Sequence, residues 1–502
     1  MLIKKPSTKI NIIANFAGKA WAGIINFAFV PLYIKFLGIE AYGLIGIFIS
    51  LIALLSILDM GLSATLNRAL SRIAFSPDAD QEARNLTRTF EVIYWVIGIV
   101  IGVFVLVLSP VIATRWVRAE GIPLLTVQHA LMMMGFVVAI QWPSSLYSGA
   151  LAGLQRQVLM NGIRSTIGTL QAVGAILVLW LISPTIYAYF IWQLVMSVVQ
   201  TIVLYYAVWS ALPRTGSPPA FDRLLLNKHF QFAAGMTGIS VVVTVLTQMD
   251  KIILSKMLPL HMFGYYVIAA NIGSMINVLV QPVSTAVFPK LAQLSGTADE
   301  AGLSKLYHKS CQMTSVIVIP AAMTFLFYSE EILTVWLRNA ETVQQVNLIA
   351  KIMVLGSCLN ALMTLPYNLQ LAYGWTKLAL VQNLVSILVL APLLIFMVQY
   401  AAAVGAAIVW VILNIGYLLI LMPIMHTKLI KHELRSWTIR DVGLPAIAAV
   451  ATIAVSRFLM PSIITGYLII PWLAASAIVT VSLTALAASE IRRGLKELYN
   501  SW

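Results

Sequence analysis

Charge is what this chain has least of. Only 10% of its 502 residues are charged, against 60% that are hydrophobic, whereas a soluble domain carries about a quarter charged residues. So little charge cannot cover a surface this large for water, so the solvent of this chain is mostly lipid. The same figures exclude disorder, a coiled coil and a secreted disulfide scaffold. Cysteine is nearly absent. The two copies, Cys311 and Cys358, lie in apolar stretches, so neither a disulfide nor a cysteine metal site is expected. Acidic residues number 18 against 32 basic ones, a net charge of +14. Catalytic signatures are missing too: there is no P-loop, dinucleotide glycine fingerprint, His-Glu-x-x-His helix or nucleophile elbow. His129 stands without a second ligand. No cofactor and no metal are expected, and the chain reads as a protein that is not an enzyme.

What the chain does have is long apolar runs. A bilayer core about 30 Å thick needs about 20 apolar residues per helix. Fourteen runs qualify: residues 10–36, 42–66, 90–113, 125–151, 163–182, 187–212, 232–254, 263–288, 311–333, 346–371, 378–398, 404–425, 442–460 and 467–488. The connections between spans 5 and 6 and between spans 11 and 12 are very tight, so twelve is the competing count. The first run is too long for a signal peptide and lacks a small-residue cleavage site, so it reads as a retained helix.

Lysine and arginine orient the chain. With the N-terminus inside, 23 of the 32 basic residues fall on cytoplasmic segments, and every long loop lies on that side. This is the positive-inside pattern, and it places both termini in the cytoplasm. The positive charge therefore orients the protein rather than binding nucleic acid. The outer loops are short, the longest running over about 114–124, which leaves no room for an extracytoplasmic catalytic domain.

The chain also repeats itself. The segment KFLGIEAYG from Lys35 matches KMLPLHMFG from Lys256 at an offset of 221, and Trp116 and Arg118 match Trp336 and Arg338 at 220. Pro143 followed by Leu151 and Gly153 resembles Pro366 followed by Leu371 and Gly374. A repeat of six spans enters the membrane with the same orientation twice, which implies two lobes related by an axis along the membrane normal. The expected architecture is all-α and polytopic, with about 14 transmembrane helices. It comprises an N-lobe over 1–212, a cytoplasmic linker with an amphipathic piece over 213–231, a C-lobe over 232–426, and a C-terminal helix pair with a tail over 427–502.

The segments PLYIKFLG from Pro31, Tyr42-Gly43, LDMG from Leu58 and Arg68 resemble the opening of bacterial polysaccharide-export flippases, the O-antigen and exopolysaccharide translocases of the multidrug/oligosaccharidyl-lipid/polysaccharide exporter superfamily. So do DKIIL from Asp250 and GYY from Gly264 in the second half. The resemblance implies an inner-membrane protein that moves an undecaprenyl-diphosphate-linked oligosaccharide from the cytoplasmic to the outer leaflet by alternating access, for surface polysaccharide (lipopolysaccharide, exopolysaccharide) biosynthesis. It implies membrane lipids around a monomer, with a polymerase and a chain-length regulator of the same pathway as partners. An ion-coupled multidrug antiporter of the same superfamily is the nearer alternative, and a membrane polysaccharide polymerase or ligase the more distant one.

An ionisable group inside a span costs roughly 2.5–3.5 kcal/mol on insertion scales, so each needs a reason. Span 1 carries Asn11, Asn15, Lys19 and Asn26 on one helical stripe, and span 2 carries Ser56, Asp59, Ser63 and Asn67 on another. Lys19 and Asp59 lie equally far from the turn between these spans. Two readings fit: an ion pair that lets both charges survive in lipid, or a lysine that binds a diphosphate beside an aspartate that releases it or takes up a proton. Span 7 carries Thr244, Gln248 and Lys251 along one face with Asp250 beside them, and span 8 carries Asn277 and Gln281. Such stripes serve either helix packing or a hydrophilic cavity. Lys351 in span 10 is a further cavity candidate. Asp59 and Asp250 are the candidates for coupling or gating. Arg68, Arg72, Arg164 and Lys228 fit either plain topology or a cytoplasmic entrance that collects an anionic lipid.

Overall fold

A computed structural model describes residues 8–59, 61–73, 80–297, 299–461 and 466–500. The side chains of 227–240 are not among the described ones, so Lys228 is placed only as a residue of a helix. The described residues form α-helices with short π and 3₁₀ segments and no named strand. Twelve of these helical stretches are long and apolar enough to cross a membrane.

The helices of the first unit are α1 (Thr8–Ala28), α2 (Val30–Leu37), α3 (Ile39–Leu55), α4 (Leu62–Ile73), α5 (Asp80–Arg115), α6 (Leu124–Gln141), α7 (Pro143–Gly153), α8 (Gln157–Leu181), α9 (Ile186–Ala211) and α10 (Arg223–Met257). The second contains most of α11 (Leu260–Ser295), then α12 (Glu300–Leu337), α13 (Ala340–Leu362), α14 (Thr364–Ala372), α15 (Thr376–Gly416), α16 (Met422–Leu429), α17 (Leu434–Ser436), α18 (Leu444–Phe458), α19 (Ile469–Ala487) and α20 (Ser489–Asn500). The two compact units are Met1–Gly264 and Tyr265–Trp502. Helix α10, which the sequence reading places with the second lobe, belongs to the first unit because it packs against α3, α4 and α5.

Proline and glycine set the interruptions. Pro31 opens α2 directly after α1, where its missing N–H costs no hydrogen bond. Gly38 takes φ +82° between α2 and α3, a conformation that side-chain-bearing residues resist. Spans 11 and 12 run together as α15, but Ala401 and Ala402 have non-helical backbone, with φ +48° at Ala402. The stretch Thr376–Leu429 has 54 residues, about 80 Å at 1.5 Å per residue, far more than a bilayer. It is therefore two spans folded back at the alanines, and a Cβ on Gly405 would lie 2.0 Å from the Met397 carbonyl. Only glycine fits that hairpin. The tight connections expected after spans 5 and 11 are thus present, the first as Ile182–Thr185.

The linker is not a free strand. Gln81 donates to the Pro218 carbonyl (3.2 Å), Asn85 accepts from the Ala220 amide (3.0 Å) and Thr89 accepts from the Asp222 amide (2.8 Å). These three residues, four apart, form one stripe on α5. Arg84 adds a bond to the Pro213 carbonyl (3.0 Å). Asp222 then caps α10 by accepting from Leu224 and Leu225, a standard N-cap arrangement. The amphipathic piece expected as a separate surface segment is therefore the opening of the span 7 helix.

In the second unit the C-terminal pair α18–α19 packs against α12. Tyr328, Ile453 and Ile469 form the buried centre of this contact. The Tyr328 hydroxyl bonds Ser456 (2.9 Å) and accepts from the Trp472 indole (3.1 Å).

Candidate functional site: a broken helix with a half-buried carboxylate

Span 2 is discontinuous. Helix α3 ends at Leu55, a 3₁₀ turn covers Ser56–Asp59, and α4 begins at Leu62 after Gly61 at φ +65°. Within a membrane a broken helix frees backbone groups that must be re-satisfied, and such breaks are tolerated where they line protein or water. Asp59 sits at this break. Its carboxylate accepts from the Tyr94 hydroxyl on α5 and from the Ser63 hydroxyl one turn on, at 3.0 Å. Tyr94 is itself fully buried. Helix α10 packs against the 3₁₀ turn as well as against α3 and α4, and it carries the polar face of span 7. On that face Lys251 donates to Gln248 at 3.5 Å, and Thr247 bonds the Thr244 carbonyl at 3.2 Å. Thr244, Gln248, Asp250 and Lys251 are all half-buried.

Lys19 and Asp59 form no ion pair with each other in this structure. Asp59 is satisfied by Tyr94 and Ser63, whereas Lys19 is exposed and makes no ion pair among the described residues. The reason lies in what α1 packs on, which is α8 rather than span 2. Asn15 meets Gln157 (2.9 Å) and Asn161 (2.5 Å), and the Trp21 indole donates to Thr169 (2.8 Å). Half of the span 1 stripe, Asn11 and Asn15, is thus turned inward, while Lys19 and Asn26 are exposed on the helix surface.

One helical turn toward the linker, α5 carries an acid more deeply buried than Asp59, one that the sequence reading missed. Glu91 is 1% exposed and accepts from Arg88 (2.7 Å), Tyr147 (2.6 Å) and the Trp209 indole (3.3 Å). Its signal was its place near the start of an apolar run, three residues after an arginine. Arg68, Arg72 and Arg164 are exposed on α4 and α8.

In the second unit, Asn277 and Lys351 are half-buried on α11 and α13, and Gln281 is exposed. The densest polar cluster lies elsewhere, around His308 on α12. Its Nδ1 is 2.5 Å from Asp441 and its Nε2 is 3.1 Å from Glu433. Gln312 donates to Asp441 (2.9 Å) and to Ser489 (3.2 Å), and its carbonyl accepts from the Glu490 amide (2.7 Å). Two nitrogen-to-carboxylate bonds need two protons, and a neutral imidazole supplies one. The cluster therefore holds an imidazolium or a protonated acid. It ties α12 to the chain before α18 and to α20. No periodicity could have found it, because Glu433 and Asp441 are some 130 residues from His308.

The fold places the chain in a known architectural class. It is similar to the lipid II flippase MurJ in its inward closed conformation, with a TM-score of 0.69 and 14% identity, covering 97% of this chain and 100% of that one. An inward-facing multidrug resistance MATE transporter of the MOP superfamily matches with a TM-score of 0.61 and 14% identity over 85% of this chain and 97% of that one. In sequence, a Shigella flexneri protein provisionally named as an O-antigen transporter is 23% identical over 400 residues, 80% of this chain and 93% of the relative. Residues 34–340, more than half of the chain, match the family described as "Polysaccharide biosynthesis protein". The chain belongs to that family, and it is an integral membrane protein that shares the fold of these solved structures.

Proposed function

We propose that the protein is a flippase that carries an undecaprenyl-diphosphate-linked oligosaccharide from the cytoplasmic to the outer leaflet of the bacterial inner membrane by alternating access, with both termini in the cytoplasm. The observation that carries this reading is the family match across residues 34–340 together with a fold shared with a lipid flippase. The interior chemistry supports it. Lys19 and Asn26 are exposed on the surface of span 1, and a lysine facing hydrocarbon would be costly. An aqueous path along α1 that presents a cation to a diphosphate removes that cost. Asn15, Ser63, Thr244, Gln248, Asn277, Gln281 and Lys351 supply hydroxyls and amides for a sugar chain. Asp59, held by neutral donors at the helix break, is the coupling residue of this reading, with Asp250 as the gate candidate. Arg68, Arg72, Arg164 and Lys228 form its cytoplasmic entrance.

The likeness to a multidrug transporter favours a second reading, an ion-coupled drug antiporter. Deleting the protein and extracting the lipids separates the two. A flippase leaves a lipid-linked oligosaccharide built up on the cytoplasmic leaflet, and unchanged lipids with altered drug tolerance overturn it.

A further inference from the structure

Helices α1 and α8 run side by side in the same direction. Asn15 meets Gln157 and Asn161, a Cβ on Gly18 would lie 2.9 Å from the Asn161 Oδ1, and the Trp21 indole meets Thr169. The partners climb both helices together, the hydrogen bonds spanning 142, 146 and 148 residues. Lys19 and Arg164, separated by 145 residues, fall in the middle of that range and so stand at one depth. They also share one flank of the seam. At about 100° per residue, Lys19 and Trp21 lie on opposite sides of Gly18, the centre of the α1 contact. Arg164 and Thr169 likewise lie on opposite sides of Asn161. Trp21 and Thr169 are bonded to each other, so in a parallel pair Lys19 and Arg164 are left together on the other flank. The Trp21 flank also carries the exposed Ile24 and Val173, as a surface toward hydrocarbon would. The opposite flank continues in amides, with Asn26 and Gln171 again 145 residues apart.

Two exposed cations are thus set side by side, about two and three turns into their helices. Neither α1 nor α8 contains an aspartate or glutamate, and nor do α2, α7 and α9, which pack on one or both of them. No ion pair among the described residues involves Lys19 or Arg164. Charges within spans are otherwise found paired, and like charges at one level repel. The counter-charge that would relieve this pair is missing from its surroundings and is left to a ligand. Packed helix axes lie about 8–10 Å apart, so an ammonium and a guanidinium from the two helices can close on one anion between them. Lysine brings a compact point charge, and arginine a planar fork that binds two phosphoryl oxygens at once.

We propose that Lys19 and Arg164 form one two-cation site that takes the diphosphate of the lipid-linked substrate and sets a preference for diphosphate over monophosphate linkage. The proposal rests on the flippase reading, and it makes Arg164 part of the binding site as well as of the cytoplasmic entrance. A diphosphate joined to lipid at one end and sugar at the other carries two adjacent negative charges, one for each cation. A single phosphate between two esters, an ordinary phospholipid headgroup included, carries one and leaves the second cation unpaired. The site therefore distinguishes the substrate from the phospholipid around it by charge, while the neutral amides above and below the cations do not.

The test uses the full-length protein in phosphatidylcholine nanodiscs and two probes, a farnesyl chain joined to N-acetylglucosamine through a diphosphate or through a single phosphate. The diphosphate probe should bind at least about tenfold tighter. Lys19→Gln and Arg164→Gln should each reduce that preference to below about threefold. Their losses should not multiply in the double variant, because both groups act on one anion. Lys19→Arg, which keeps the charge, should retain the preference, and so should Lys431→Gln, which removes an exposed cation from the second unit. Phosphatidylglycerol added to the nanodiscs should displace the diphosphate probe poorly. Equal affinity of the unaltered protein for the two probes, glutamine variants that keep the preference, losses that multiply, or ready displacement by phosphatidylglycerol would each overturn the site. A preference that obeys these variants while deletion leaves lipid-linked sugars unchanged upholds the site and overturns the flippase reading. Build-up of a lipid-linked sugar on deletion, with variants that keep the preference, does the reverse.

Discussion

At the scale of single residues, the helix break in span 2 is held by one hydroxyl from outside it. Tyr94 reaches from α5 to the Asp59 carboxylate, while Ser63 stabilises the same carboxylate from within span 2. A hydrogen bond to a charged group contributes about 1.5–3 kcal/mol. Tyr94→Phe should therefore lower the unfolding free energy in detergent by about that amount, measured by thermal or chemical unfolding of the purified protein. A change within a few tenths of a kcal/mol would show that Asp59 does not depend on the tyrosine. The sequence made Asp59 visible because an acid in an apolar run needs a reason, and LDMG carried a resemblance. It could not make Tyr94 visible, because a buried tyrosine in a span is unremarkable until its partner is known. Equal distance from the turn predicts equal depth for Lys19 and Asp59, but the helix that carries Lys19, α1, packs on α8, a neighbour the sequence did not indicate.

Among the elements, the C-terminal pair is the part most dependent on contacts far apart in sequence. The cluster of His308, Gln312, Glu433 and Asp441 joins α12 to the π segment Trp437–Gly443 and to α20. Asp441 is fully buried, and removing one partner of a buried charged pair costs about 3–5 kcal/mol. Asp441→Ala is expected to expose the chain near Glu433 and the tail after Ser489 to protease while α1–α9 stay protected, as read by limited proteolysis and mass spectrometry. Unaltered cleavage would sink that role. The duplicated Trp-x-Arg pattern shows how this pair changed its surroundings. In the first copy Arg118 binds the Met257 carbonyl, whereas in the second Arg338 lies 5.4 Å from the ring centre of Tyr467, at the start of the last span. Apolar length and turn residues made the spans legible, including the fold-back at Ala401 and Ala402. Which helix lies against which was not legible, since lipid-facing and helix-facing surfaces are both apolar.

For the whole molecule, the basic residues predict the orientation, with the linker inside and the α5–α6 turn outside. A cysteine replacing Ser217 in the linker should resist an impermeant maleimide in intact cells and react after permeabilisation, whereas one replacing Glu120 should react without it. The reverse pattern would invert the proposed topology. The strap of Gln81, Asn85 and Thr89 on the linker fixes where α10 starts, so its register against the break at Asp59 is set from the linker end.

The paired glycines Gly43 and Gly264 bear on the internal duplication. A contact in which position 39 of one copy meets position 43 of the other, and the converse, is what two identical subunits make when they face each other. Gly43 with Leu260 and Gly264 with Ile39 thus hold, inside one polypeptide, the self-complementary pairing that an isologous dimer makes between two chains.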